Sequence, residues 1–393
     1  MKRFFLGLFL SLLVLGFQNC SNPTLSRIVD SNNSESPRGI QIGSKSTSPP
    51  KLAPGSPGTY MLRSSGDVYF WGYNDPYHPD SPLTQHFQLF PDISSAVDIS
   101  GRSGRTCVVL QDTTVKCWTY STSETHTDPA TVPDLVGAVE VATGDLSSCA
   151  RLQDGTVKCW GDNSYGELGR GSIGGFNLPV DEVVNLTNVS QITCIGSGYC
   201  ARLQDGTVKC WGYNNQGSLG NGTLANSGVP VSVQNLTDVV QVAGVGRVKA
   251  LLGDGTVKTW GGSSRDWDVY NPYEIIPMIT TPILVRGLEN VRRLADQCAL
   301  IQDGTVKCWG YNQAGELGLG YISAFSDPIL RTPTTVPNLS GVVDIAGGAT
   351  VCATLSDDTL KCWGLNAHGQ VGDDTKLNRD HPVKVIMPSD FEF

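Results

Sequence analysis

Five pairs of cysteines in this chain sit ten residues apart: Cys107 and Cys117, Cys149 and Cys159, Cys200 and Cys210, Cys298 and Cys308, Cys352 and Cys362. The second cysteine of each pair is followed by tryptophan, at Trp118, Trp160, Trp211, Trp309 and Trp363. Two further copies end at Trp71 and Trp260, where both cysteine positions are replaced together, by Tyr60 with Phe70 and by Lys249 with Thr259. Paired loss is what a covalent bridge predicts, because a single replacement would strand a thiol. Five disulfides are therefore expected, one within each cysteine-bearing copy. Buried hydrophobic packing is the alternative use of such cysteines. Zinc binding fits poorly, since the cysteines are not clustered at ligand spacing and there are only five histidines. Cys194 is left over and is expected to be a buried free thiol.

The clearest copy runs from Cys200 to Trp211. Placing Gln204-Asp205-Gly206 in a three-residue hairpin loop, with glycine in the left-handed position, pairs Leu203 with Thr207. Cys200 then falls opposite Cys210, at the roughly 4.5–5.5 Å Cα separation of directly opposed residues, which a disulfide tolerates. Gly66, Gly155, Gly255 and Gly304 hold the same turn position. Thr113 replaces it in the second copy; β-branched residues adopt positive φ poorly, so a modified turn is expected there.

The tryptophans recur every 42–54 residues or so, a period that signals a solenoid, propeller or array. Short β-rich runs such as Val240-Gln241-Val242-Ala243 lie before the hairpins, and proline-led runs such as Pro230-Val231-Ser232-Val233 lie further upstream. Four short strands per unit, seven times, predict an all-β, seven-bladed β-propeller. The first copy lacks an obvious proline-led strand, and His381-Pro382-Val383-Lys384-Val385-Ile386 is expected to join that first blade and close the ring. Four copies continue past the tryptophan with a glycine-rich phrase, clearest in Trp160-Gly161-Asp162-Asn163-Ser164-Tyr165-Gly166-Glu167-Leu168-Gly169. Hairpin and phrase together resemble the regulator of chromosome condensation (RCC1) repeat family over residues 58–388, and the resemblance implies the same seven-bladed ring.

Lys2 and Arg3 precede an apolar run from Phe4 to Phe17, too short to span a bilayer comfortably and suited to a signal-peptide core. Residues 1–19 are therefore read as a signal peptide, 20–57 as a disordered Ser/Pro-rich tether, and 58–393 as the propeller. Cys20 resembles the lipidated cysteine of bacterial lipoproteins, although Phe17-Gln18-Asn19 departs from the small residues usual before it; plain cleavage near Gly16 or Ser21 is the alternative. Export agrees with five disulfides, and a bacterial periplasmic or cell-surface location follows.

The formal charge of −9 disfavours phosphate backbones, so no nucleic-acid partner is expected. The family's eukaryotic namesake acts on a nuclear GTPase, which an exported protein does not meet; nucleotide exchange is accordingly set aside. No cofactor, metal or catalytic motif is present, and the chain is not expected to be an enzyme. Asp154, Asp205, Asp254 and Asp303 read as turn residues. Lys116, Lys158, Lys209, Lys258, Lys307 and Lys361 recur before the cysteine position, either as stems packed on a neighbouring blade or as a basic ring. Tyr77, Phe87, Arg265, Trp267, Tyr270 and Tyr273 lie in the two least regular connections and are the candidate binding residues, aromatics and arginine being common in hot spots. The expected function is a monomeric, exported, lipid-anchored propeller that binds a protein or other macromolecule without catalysis. Some bacterial members of the family inhibit secreted β-lactamases, so an enzyme-inhibitor role is an alternative, as is a lyase or hydrolase using the central channel.

Overall fold

The computed structural model describes residues 49–54, 58–72, 87–119, 127–262, 278–324, 327, 329–388 and 391. These form seven four-stranded antiparallel sheets, each built from four strands consecutive in the chain. Blade 4 is representative: Val189–Cys194, Gly198–Leu203, Val208–Gly212 and Ser227–Ser232, from axis to rim. First strands of neighbouring blades touch in sequence around the whole ring, so they line its axis.

The hairpin register is the one expected. Cys200 opposes Cys210, and Gly206 turns at φ 78°. All five expected disulfides are formed: Cys107 with Cys117, Cys149 with Cys159, Cys200 with Cys210, Cys298 with Cys308, and Cys352 with Cys362. Their Cα atoms are 4.0–4.1 Å apart, closer than the separation expected of opposed residues. The bridges differ in burial. Cys159 is fully buried in the interface with blade 4, whereas Cys117 is only partly buried, at the edge of the cluster between blades 2 and 3. Thr113 departs from expectation: it keeps the unmodified turn at φ 70°, and its hydroxyl accepts a hydrogen bond from Gly137 N at 3.0 Å. A bond to the next connection offsets part of the left-handed strain, which for a non-glycine residue costs about 1–2 kcal/mol.

Two other expectations are corrected. Each proline-led strand pairs with the hairpin before it and not the one after; Val231 opposes Cys210. The last such strand, Arg379–Lys384, therefore stays in blade 7, where Val383 opposes Cys362. Blade 1 takes its axial strand from Lys51–Pro54, inside the stretch read as tether, with Leu52 and Ala53 buried. Four residues are too few to show a strand period in a proline-rich context, which hid this strand.

The ring closes without a shared strand, so side chains must hold blade 7 to blade 1. The apolar core lies between blades. Cys298, Cys308 and Leu317 of blade 6 pack on Ile345, Val351 and Trp363 of blade 7, and Cys352, Cys362 and Val371 of blade 7 pack on Met61, Trp71 and Phe87 of blade 1.

Each glycine-rich phrase is one half of a seam. Trp211, Trp260, Trp363 and Trp71 donate their indole N–H to the main-chain carbonyls of Glu167, Ser218, Glu316 and Gln370 in the preceding blade, at 2.8–2.9 Å. Inside the phrase a buried asparagine shapes the loop: the Asn214 amide oxygen accepts from Leu219 N at 2.8 Å, and its nitrogen donates to Ala225 O at 3.0 Å. Glycine closes the phrase because the indole sits on it. A Cβ on Gly220, at φ 64°, would lie 2.7 Å from the Trp260 indole nitrogen.

A second seam runs nearer the axis, through equivalent positions of the first strands. Lys51 pairs with Asp98. Asp98 accepts from Val141 N at 2.9 Å, and Glu140 from Ile192 N at 3.3 Å. Gln191 both accepts from and donates to the Val242 main chain at 3.0 Å, and Gln241 does the same with Leu294 at 2.8 and 3.0 Å. Arg293 pairs with Asp344 at 2.8 Å, and Lys51 acts electrostatically on Asp344. Burial pushes the Glu140 carboxyl above its ordinary range, Asp98 adds to this, and Arg151 at 2.8 Å opposes it.

Gly220 and Gly222 both have positive φ, at 64° and 82°, but Gly222 faces only the flexible Gln234 side chain. Alanine at either carries the backbone penalty, and only Gly220→Ala also meets the indole. Gly220→Ala should cost about 3 kcal/mol in denaturant unfolding and Gly222→Ala about 1 kcal/mol; equal losses would contradict the seam.

Candidate interaction face and the pocket between blades 5 and 6

Strand order divides the loops between two faces. Connections from first to second strand, and from third to outer strand, leave on one face; hairpin turns and blade-to-blade connections leave on the other. The hairpin face is built of tight polar turns. In six blades an aspartate accepts from the main chain two residues on and from that residue's threonine hydroxyl; for Asp205 and Thr207 the distances are 2.9 and 2.7 Å. Asp154, Asp205, Asp254 and Asp303 are thus turn residues. Two of the recurrent lysines also cap main-chain carbonyls on this side, Lys258 that of Asn235 at 3.0 Å and Lys307 that of Gly287 at 3.1 Å.

The opposite face is unlike it. The glycine-rich loops hold Tyr165, Ile173, Phe176, Tyr311, Tyr321 and Ile322 out to solvent, Phe176 at 72% exposure. Tyr165 and Tyr213 from adjacent blades meet edge to face at 4.9 Å. These exposed apolar and aromatic side chains contrast with the polar turns of the hairpin face.

A pocket of about 130 Å³ opens between blades 5 and 6, lined by Val245, Arg247, Lys249, Asp296, Trp309 and Tyr311 among others. Its floor occupies a cysteine position: Lys249 opposes Thr259 where other blades have a disulfide. The Lys249 side chain is 3% exposed. Its Nζ lies 3.4 Å from Asp296 Oδ1 and 3.4 Å from the Arg247 carbonyl, and 5.9 Å from the centre of the Trp309 ring. Burial pulls its pKa below the ordinary lysine value, and Asp296 opposes that pull. Arg247 lies over the Tyr311 ring at 4.9 Å, with Nη2 3.2 Å from the phenol oxygen. The sequence signal for this pocket is the replacement of a cysteine pair by lysine and threonine, which alone reads only as loss of a bridge.

Of the candidate binding residues, Phe87 belongs to the core. It stacks on Tyr69 at 4.9 Å and on Trp71 at 5.5 Å, and meets Phe391 edge on at 4.7 Å. Tyr77, Arg265, Trp267, Tyr270 and Tyr273, and Cys20 with the whole 1–48 segment, lie outside the described residues. Cys194 is half-buried by surface area, yet its sulfur is desolvated enough to raise the thiol to about 11.

Asp205 sits below the usual carboxylate range because the Thr207 hydroxyl and main chain bind its charged form. A carboxyl lowered on folding stabilises the fold above its unfolded pKa, near 3.9, and the contribution is lost as pH falls through the folded value. Carboxyl NMR titration should show the turn aspartates below ordinary aspartate, and Thr207→Val should move Asp205 upward while leaving Asp303 unmoved. An Asp205 that does not respond would contradict the assignment.

The sequence pattern of the regulator of chromosome condensation (RCC1) repeat matches residues 138–167, 205–246 and 303–355. The chain is 26% identical over 243 residues to the ultraviolet-B receptor UVR8 of Arabidopsis thaliana, covering 58% of this chain and 53% of that protein, about half its length. Among solved structures it is similar to yeast RCC1 (Prp20) bound to Kap60, with TM-score 0.69, 19% identity and coverage of 90% and 92%. It is likewise similar to Prp20p of Saccharomyces cerevisiae, described with its binding properties to Gsp1p and histones, with TM-score 0.67, 20% identity and coverage of 84% and 88%. These likenesses run to plant and yeast proteins, and they overturn the expectation of a bacterial periplasmic or cell-surface lipoprotein. The exported, non-catalytic docking role, with its enzyme-inhibitor alternative, falls with that location. So does the exclusion of enzymatic exchange on a GTPase, which rested on compartment alone, against a fold shared with a protein that binds Gsp1p. The chain thus carries RCC1-type repeats at residues 138–167, 205–246 and 303–355 within a seven-bladed ring whose fold is that of yeast RCC1 (Prp20).

Proposed function

We propose that the chain is a protein-binding propeller that engages its partner through the face carrying the glycine-rich loops. One observation carries this reading: exposed aromatic and aliphatic side chains gather on that face, while the hairpin face is closed by polar turns. Large rigid side chains on a preformed ring lose little entropy on contact, which is why such groups dominate interfaces. The likeness to Prp20 supports a protein as the bound class, and Gsp1p and histones, named for that protein, are the first candidates to test.

The experiment is capture by the immobilised chain, from an extract of its source cells and from solutions of purified Gsp1p and histones. Ile173→Ser with Phe176→Ser should reduce partner retention at least tenfold, since interface hot spots contribute about 2 kcal/mol or more each. Val136→Ser, at an exposed site on the hairpin face, should retain the partner in full. Equal retention by both variants would defeat the proposal.

A further inference from the structure

We infer that Cys117 is a thiol-exchange site: a small thiol attacks its sulfur in the folded protein and opens the bridge to Cys107, while the other four bridges stay closed.

The first support is what covers each bridge. In blades 3, 4, 6 and 7 the cysteine pair packs with two fully buried side chains, one from the glycine-rich phrase of its own blade and a tryptophan from the next. These are Leu168 with Trp211, Leu219 with Trp260, Leu317 with Trp363, and Val371 with Trp71. Blade 2 has no such phrase and so no equivalent leucine, and the tryptophan of the next blade, Trp160, is only half-buried. The cluster there ends in three partly buried members, Cys117, Trp160 and Val180. Cys117 is accordingly the one bridged cysteine that is not buried. Exchange with an outside thiol depends on access to a sulfur, and a buried bridge reacts only after its surroundings open locally.

The second support is the leaving group. A thiolate that attacks one sulfur expels the other, and expulsion is faster the more stable the departing thiolate. Cys107 Sγ lies 3.9 Å from Ser148 Oγ, with both residues fully buried. A bridged sulfur carries no proton, so the hydroxyl is the donor, and it faces the atom on which negative charge develops. Ser148 is the residue opposite Trp160, and its equivalents in the blades after the other bridges are Tyr199, Val248, Val351 and Thr59. The valines have no hydroxyl. Tyr199 is bonded to Ser147 at 2.9 Å, and Thr59 donates to the Gln370 carbonyl at 2.9 Å. Access and leaving-group stabilisation therefore coincide at one bridge.

The exchange balances without an oxidant. The thiol gives up its proton and bonds through sulfur to Cys117 as the bond to Cys107 breaks. The Cys107 sulfur leaves with the bonding pair and takes up a proton, so one disulfide is consumed and one is formed. With a dithiol, the second thiolate of the same molecule attacks the sulfur joined to Cys117 and departs as a cyclic disulfide; Cys117 takes up the second proton, and both cysteines are left reduced. The hairpin stays paired from Arg105 with Thr119 to Val109 with Val115. Cys107 thus remains opposite Cys117, and the bridge re-forms when the small thiol is withdrawn.

The test treats the native full chain briefly with reduced glutathione, traps free thiols with N-ethylmaleimide and maps both labels by peptide mass spectrometry. Glutathione on Cys117 and maleimide on Cys107 should appear at least about tenfold faster than label at any other bridge, because the others wait on local opening. Dithiothreitol should place maleimide on both Cys107 and Cys117 before any other bridge opens. Ser148→Ala should slow release of Cys107 about threefold, the loss of one weak hydrogen bond, and Cys107→Ala with Cys117→Ala should abolish the early uptake. Five bridges opening at one rate, or early uptake that persists in the double variant, would overturn the site. Glutathione found on Cys107 in place of Cys117, or release indifferent to Ser148→Ala, would overturn the assigned direction of attack.

Discussion

Blade-to-blade contact is the interaction on which the rest of this ring depends. A four-stranded sheet of short strands cannot bury both its faces by itself, so six of the seven blades place a disulfide or aromatic pair against a neighbour, and blade 5 has Lys249 and Thr259 there. Hydrophobic burial supplies attraction there without direction. Direction comes from two sets of polar contacts, the axial belt from Lys51 round to Asp344 and the indole bonds to the glycine-rich loops. Buried polar groups of this kind are costly when unpaired, so they admit one stacking of blade upon blade.

The same logic explains the unequal repeats. Four blades carry the full phrase, and each receives the tryptophan of the blade that follows. Blades 1, 2 and 5 lack it, and the next tryptophan is held in other ways. Trp118 donates to the Tyr60 hydroxyl at 3.2 Å and stacks on Phe90 at 4.7 Å, whereas Trp309 lies beneath Lys249 at 5.9 Å. Trp160 is only half-buried. Where the phrase is lost the seam is free to diverge, and the pocket beside Trp309 occupies one such divergence.

Much of the fold was legible because the repeat writes it seven times over. Hairpin register followed from the ten-residue cysteine spacing, and blade number from the tryptophans. Blade boundaries were not legible. A proline-led strand between two hairpins can pair with either, and which one it joins depends on the third strand turning back on itself after the phrase. That long-range choice, made seven times, moved Arg379–Lys384 from the first blade to the last. The interaction face was hidden for a similar reason. Phe176 and Ile173 are ordinary loop residues in sequence, and only the ring brings them to one side. Phe87 shows the converse, an aromatic in an irregular connection that packs inward.

Blade 7 meets blade 1 through Trp71 and Thr59, both donating to the Gln370 carbonyl, at 2.8 and 2.9 Å, with no strand exchanged between them. Hydrogen exchange of the indole N–H groups, followed by NMR, probes that junction directly. Trp71 should exchange as slowly as Trp211, Trp260 and Trp363, and Trp160 much faster. A Trp71 that exchanges at the rate of Trp160, while the other three stay protected, would show that side chains alone do not close the ring.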